Sequence, residues 1–164
     1  MRPRPDPVLP GQESVWNYPR TAIAVASSAH VRIEHGGAII ADTHAPVRVL
    51  ETSHPPNWYV PPADVNTDLL LPSERRSFCE WKGVASYWHL QVGDALLHDV
   101  AWSYPDPTDA FRSLRDHLAF YAAPLDLCSV DGERVSPQPG GFYGGWITRD
   151  LAGPFKGVPG SAGW

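Results

Sequence analysis

Prolines and glycines punctuate this chain from end to end, 18 and 14 of them in 164 residues, and they limit what can be built between them. A proline inside a helix removes a hydrogen bond and clashes with the preceding turn, while an interior glycine weakens helix and strand alike. Short strands joined by tight turns are therefore expected, and long helices are not. Seven tryptophans give such strands large side chains to bury. A chain of this length closes one core without disulfide or metal staples.

Charge narrows the partners. The formal balance of −5, with no clustered Lys and Arg, argues against binding to nucleic acid or to an anionic membrane surface. Arg2 and Arg4 alternate with prolines and no apolar run follows them, so neither signal peptide nor membrane anchor is expected and the chain reads as cytoplasmic. Cys79 and Cys128 lie far apart, outside any Cys-x-x-Cys pair. No zinc site, other metal or cofactor is expected, and two free thiols are favoured over a bridge.

Along the chain, residues 1–27 read as a proline-rich arm that packs through Val15, Trp16 and Tyr18. Val31 and Ile33 alternate with polar neighbours before His35-Gly36-Gly37, and Ile39 to Asp42 returns, which is a hairpin pattern. Val47 to Glu51 is another alternating run. Ser86 to Val92 and Ala95 to Tyr104 are strands around Gly93-Asp94; the period of two places Trp88, Leu90 and Val92 on one face, and His98, Val100, Trp102 and Tyr104 together on the next strand. Thr108 as N-cap, with Phe111, Leu114, Leu118 and Tyr121 on one stripe, predicts the main helix over 108–122. The core thus spans 28–124. Residues 125–164 hold a hairpin around Asp131-Gly132 and a glycine- and aromatic-rich extension, expected to pack on that core.

The stretch from Cys79 to Trp88 sets a thiol, an amine and three aromatics around Gly83, a combination that suits a site more than a structural strand. Its Trp81-Lys82-Gly83-Val84 is echoed by Phe155-Lys156-Gly157-Val158, two aromatic-Lys-Gly turns where glycine permits a positive φ.

Glu51-Thr52 with Pro55-Pro56, Tyr59 and Pro61, Asp64-Val65, Cys79 with Lys82-Gly83, Ala85 and Tyr87-Trp88, then Ala101-Trp102-Ser103-Tyr104 and Pro107, together resemble the domain of unknown function 427 family. The resemblance covers roughly residues 31–121, and Gly140 to Trp164 is similar to the C-terminal extension of a longer subgroup. It implies a mainly β (α+β) fold of the β-tent or Mss4-like kind, two antiparallel sheets over a groove with one main helix. Relatives of that architecture hold zinc through two Cys-x-x-Cys pairs, which this chain lacks. The family is sometimes labelled nucleotidyltransferase-like. Paired magnesium-binding acids, a Lys-x-Asp-Gly motif and a phosphate loop are all missing, so that activity is a weak alternative.

The preferred reading is recognition of a small polar or ring-containing metabolite in an aromatic groove, with Glu51, Tyr59, Lys82, Tyr87, Trp102 and Tyr104 binding the ligand and Lys82 as charge anchor. The first rival is metal-independent catalysis by Cys79 or Lys82, with Lys82 or His98 lowering the thiol pKa. A protein-interaction module is a further alternative. Trp58 and Trp88 are assigned to the core and His117 to helix packing. His54 is a proton-transfer candidate if it lines the groove, and Asp64 and Asp68 are the other nearby acids.

Overall fold

The computed structural model describes residues 2–164, running as fifteen short strands with four 3-10 segments among them. The strands are β1 (Glu13–Ser14), β2 (Ile23–Ala26), β3 (Val31–His35), β4 (Ala38–Thr43), β5 (Val47–Leu50), β6 (Asn57–Tyr59), β7 (Leu70–Cys79) and β8 (Gly83–Val92). They continue as β9 (Ala95–Ser103), β10 (Leu118–Phe120), β11 (Leu127–Val130), β12 (Glu133–Arg134), β13 (Ser136–Pro137), β14 (Trp146–Ile147) and β15 (Leu151–Ala152). Three antiparallel sheets carry the structure, in the orders β10-β9-β8-β7, β12-β11-β3-β4 and β2-β5-β6. Two small pairs, antiparallel β13-β14 and parallel β1-β15, tie in the ends.

Local sequence explains much of this. On β3, Val31 and Ile33 are buried while Arg32 and Glu34 stay half-exposed, and Gly36 and Gly37, both at positive φ, close the hairpin onto β4. The sheet containing β8 and β9 is buried on both faces. Leu90, Val100, Ala101, Leu118 and Phe120 meet Val31, Ile33 and Ile40 in one core. Ala85, Tyr87, Trp102, Tyr104 and Ala119 meet Val47, Val49 and Tyr59 in a second, aromatic core. The two-sided burial places an aromatic layer beneath the site.

The structure corrects three expectations. The helix over 108–122 is a six-residue 3-10 segment, Asp109–Leu114, with Phe111 outside helical geometry, and residues 118–120 instead pair with β9. So short a helix has little stability of its own; Asp116 turns the chain at φ +59° and strand pairing takes the rest. Thr108 stands at the N-cap position of that segment without a side-chain capping bond, its hydroxyl donating to the Trp81 carbonyl instead, and His117 lies half-buried in the following turn. Second, His98, Val100 and Trp102 do not share a face. Asp99 sits at φ +52°, its N–H donating to His89 Nδ1 at 3.0 Å, and this bulge moves Val100 into the first core, away from Trp102. Third, Trp58 is buried in the first core, whereas Trp88 packs against that core only half-buried, with its indole N–H donating to Ser103 Oγ at 3.0 Å.

Both ends of the chain are integral to this packing. Val15, Trp16 and Tyr18 form a third cluster with Leu50 and Leu151. Trp146, 1 % exposed, enters the first core, where its indole N–H donates to the Phe120 carbonyl at 2.9 Å and its backbone N–H to that of Pro56 at 2.9 Å. Both cysteines are free thiols. Among the described residues no helix is long and apolar enough to cross a membrane. Truncating so large a buried side chain leaves a cavity and an orphaned carbonyl. Trp146→Ala is expected to lower unfolding free energy by about 3–5 kcal/mol, read by urea denaturation; a loss under 1 kcal/mol would mean that the extension does not hold the core.

Candidate functional site

The turn between β7 and β8, the loop after β5, β6 and the C-terminal extension line one cavity of about 490 Å³, open to solvent on one side. Its floor is the second core. Tyr59, Tyr87, Trp102 and Tyr104 are each less than a tenth exposed there, yet reach the cavity with part of their rings. Trp102 donates its indole N–H to the Tyr59 hydroxyl at 3.1 Å, and the Tyr87 hydroxyl pairs with Ser77 Oγ at 2.9 Å. Burial pushes the phenol pKa values of Tyr59, Tyr104 and Tyr121 up, so these hydroxyls stay protonated at neutral pH.

The chain has two lysines in all, Lys82 and Lys156, and both line this cavity. They stand at the two echoing aromatic-Lys-Gly turns, whose glycines adopt φ +107° at Gly83 and +121° at Gly157. At Gly157 a side chain is impossible, since a Cβ would lie 1.9 Å from the Pro139 carbonyl oxygen. The Lys82 ammonium lies 5.8 Å from the ring centres of Tyr104 and Phe111; that of Lys156 lies 5.5 Å from Tyr143. Lys156 also donates to the Trp164 backbone oxygen at 3.3 Å.

Between the lysines sit Glu51 and His54, on a loop held by both ends of the chain. Ser53 turns it at φ +72°, which costs an L-residue about 1–2 kcal/mol and is opposed by two backbone bonds. The Ser53 N–H donates to the Val15 carbonyl at 3.1 Å, and the Lys156 N–H donates to the Ser53 carbonyl at 2.9 Å. His54 is then oriented by the buried amide of Gln138. Gly145 N–H donates to Gln138 Oε1 at 3.0 Å, and Gln138 Nε2 donates to the Lys156 carbonyl at 2.9 Å. Those partners allow only one orientation of the amide, so its second N–H, 3.1 Å from His54 Nδ1, makes that nitrogen an acceptor. The proton of the neutral ring is therefore on Nε2, which lies 3.7 Å from Glu51 Oε2. Burial, reinforced by the charges of Lys156 and Lys82, lowers the His54 pKa to about 4. Burial also holds the Glu51 carboxyl above its ordinary range, against the pull of the two lysines. Among the described residues no hydrogen bond ties that carboxylate.

All the residues singled out for binding line this cavity, as does half-buried Cys79. His98 does not; it lies edge-on to His89, 4.8 Å away, and lines a different pocket, so it is no partner for Cys79. Asp64 is removed to the 3-10 segment after β6, where it accepts from Thr43, and Asp68 is exposed. Sequence reasoning missed Asn57, Tyr121, Gln138 and Tyr143. Gln138 carries no local signal, because its role depends on residues seven and 84 positions away. A separate surface cluster of His30, Asp42 and His44 brings three potential ligand atoms within 4.8 Å. Its imidazoles stack at 4.2 Å, and Arg32 donates to the second Asp42 oxygen at 3.0 Å. That arrangement suits an ion-pair network.

The depressed His54 pKa has a pH signature. Unfolded, the ring takes a proton near pH 6.5; folded, it stays neutral down to about pH 4. Stability from this group is complete above pH 6.5 and is lost as pH falls towards 4, by on the order of 2–4 kcal/mol. Glu51, raised in the folded state, works in the opposite direction above its ordinary value of 4.5. Urea denaturation at pH 7 and pH 5 should show the wild type losing more stability than His54→Gln; equal losses would mean that the ring charges freely in the fold.

The sequence profile described as Domain of unknown function (DUF427) matches residues 23–131. That span includes Glu51, His54, Cys79, Lys82 and the aromatic floor, and stops before Gln138, Tyr143 and Lys156. No curated protein matches the chain. With well over half of its length inside the match, the protein belongs to the DUF427 family.

Proposed function

We propose that the protein binds a small metabolite that joins a flat ring to an anionic group. The observation that carries this reading is the placement of the chain's only two lysines on one aromatic cavity. The tyrosine and tryptophan rings offer faces and edges for stacking, while their hydroxyls, Asn57 and the His54 N–H offer directional contacts. A desolvated aromatic floor strengthens each ammonium's attraction for an anion relative to water. Glu51 lies near these cations and offsets part of their charge. Cys79 and Lys82, the rival catalytic pair, stand in this reading as wall and anchor.

Truncating Trp102 or Tyr104 would disturb the core as much as the cavity, so the lysines make the cleaner test. Phenylpyruvate and phenyl phosphate should raise the melting temperature, whereas uncharged phenylacetamide should not. Lys82→Met and Lys156→Met keep most of the apolar stem and should each weaken binding roughly 10-fold or more by titration calorimetry. Arg112→Met, outside the cavity, is the control. Equal affinity for the neutral compound, or unchanged affinity in both lysine variants, would rule the reading out.

A further inference from the structure

Three features of the cavity are not explained by binding alone. Glu51 Oε2 is an acceptor with no donor, 32 % exposed at the side chain and facing the ligand space. His54 Nε2, 3.7 Å away, is a donor with no acceptor at hydrogen-bond distance. The orientation of that donor is enforced by three hydrogen bonds of a buried glutamine, more than packing a histidine requires. A lone acceptor beside a lone, neutral donor matches one chemical group well. A carbonyl oxygen and a hydrogen on the adjacent carbon present an acceptor and an acidic proton a few ångströms apart, and each faces its complement when the carbonyl lies across the two side chains.

We propose that this cavity catalyses proton transfer at the carbon next to a carbonyl, on a small 2-oxo carboxylate carrying a ring. Lys82 and Lys156 hold the carboxylate, so the assignment rests on the binding reading above. The Glu51 carboxylate takes the proton as the C–H bond breaks, and that electron pair forms the carbon–carbon double bond of the enolate. The negative charge moves to the carbonyl oxygen, which accepts from His54 Nε2–H. Protonated Glu51 then returns its proton, to the same carbon or to the enolate oxygen, so no co-reactant is consumed. A neutral imidazole is the right donor here, because its N–H stabilises an oxyanion without competing with Glu51 for the proton. Desolvation of the carboxylate strengthens it as a base. Gln138 is a positioning residue in this scheme, and it lies on the extension beyond the family match.

Phenylpyruvate supplies the ring, the carboxylate and exchangeable C3 protons. Exchange of those protons in deuterated buffer, followed by proton NMR, should run well above the buffer rate with wild-type protein. Glu51→Gln should lower the enzyme-dependent rate roughly 100-fold or more while phenylpyruvate still raises its melting temperature. Glu51→Asp, which keeps the base but withdraws it, should recover part of the rate. Stabilisation by phenylpyruvate without faster exchange would overturn proton transfer and leave binding standing. Wild-type exchange in Glu51→Gln would overturn the role of Glu51. Borohydride trapping of phenylpyruvate on Lys82 or Lys156 would assign exchange to an imine and overturn the scheme. Neither stabilisation nor exchange would remove the binding reading and this one together.

Discussion

Gln138 lies 3 % exposed, and each polar atom of its amide meets a partner that permits one orientation. The Gly145 N–H can only donate and the Lys156 carbonyl can only accept, so the remaining N–H is committed to His54 Nδ1. A buried amide left short of a partner costs roughly 1–3 kcal/mol, which gives this network its rigidity. The same three bonds join two stretches of the extension to the loop that carries Glu51 and His54. Ring orientation and tautomer of His54 thus follow from one side chain, while burial and the two lysines set its charge. Gly145 is part of the device, since a Cβ there would lie 2.5 Å from the Pro55 carbonyl oxygen and 2.6 Å from Gln138 Oε1.

The sheet of β7 to β10 supplies what that network works against. Because it is buried on both faces, its second face can be aromatic without being a surface, and the cavity floor is anchored from behind by the first core. Lysines above such a floor keep their charge close to apolar rings, and a carboxylate and an imidazole between them are desolvated together. The His54 ring responds by staying neutral, the Glu51 carboxyl by gaining proton affinity. Opposite responses in adjacent groups are how a single environment provides a donor and a base side by side.

Much of this is legible in the sequence where the signal is local. The Gly36-Gly37 hairpin and the β8–β9 pair around Gly93-Asp94 follow from turn chemistry and alternation. The aromatic-Lys-Gly echo marks Lys156 as a second turn lysine like Lys82, but only the fold brings it to the same cavity. What sequence hides is non-local. The stripe of Phe111, Leu114 and Leu118 has helical spacing, but Leu118 to Phe120 are claimed by the open edge of β9. The Asp99 bulge, set by His89, reverses the face of Val100 and removes His98 from the neighbourhood of Cys79. Gln138 reads as a turn residue between two prolines until His54, far away in the chain, meets it.

Gln138 fixes the His54 tautomer with its proton on Nε2, facing Glu51, in a ring that burial keeps neutral. A long-range proton–nitrogen correlation spectrum of the folded, nitrogen-15-labelled protein at neutral pH reads both ring nitrogens directly. An unprotonated, pyridine-type Nδ1 and a protonated Nε2 are expected for His54. A proton on Nδ1, or a doubly protonated ring, would contradict that assignment.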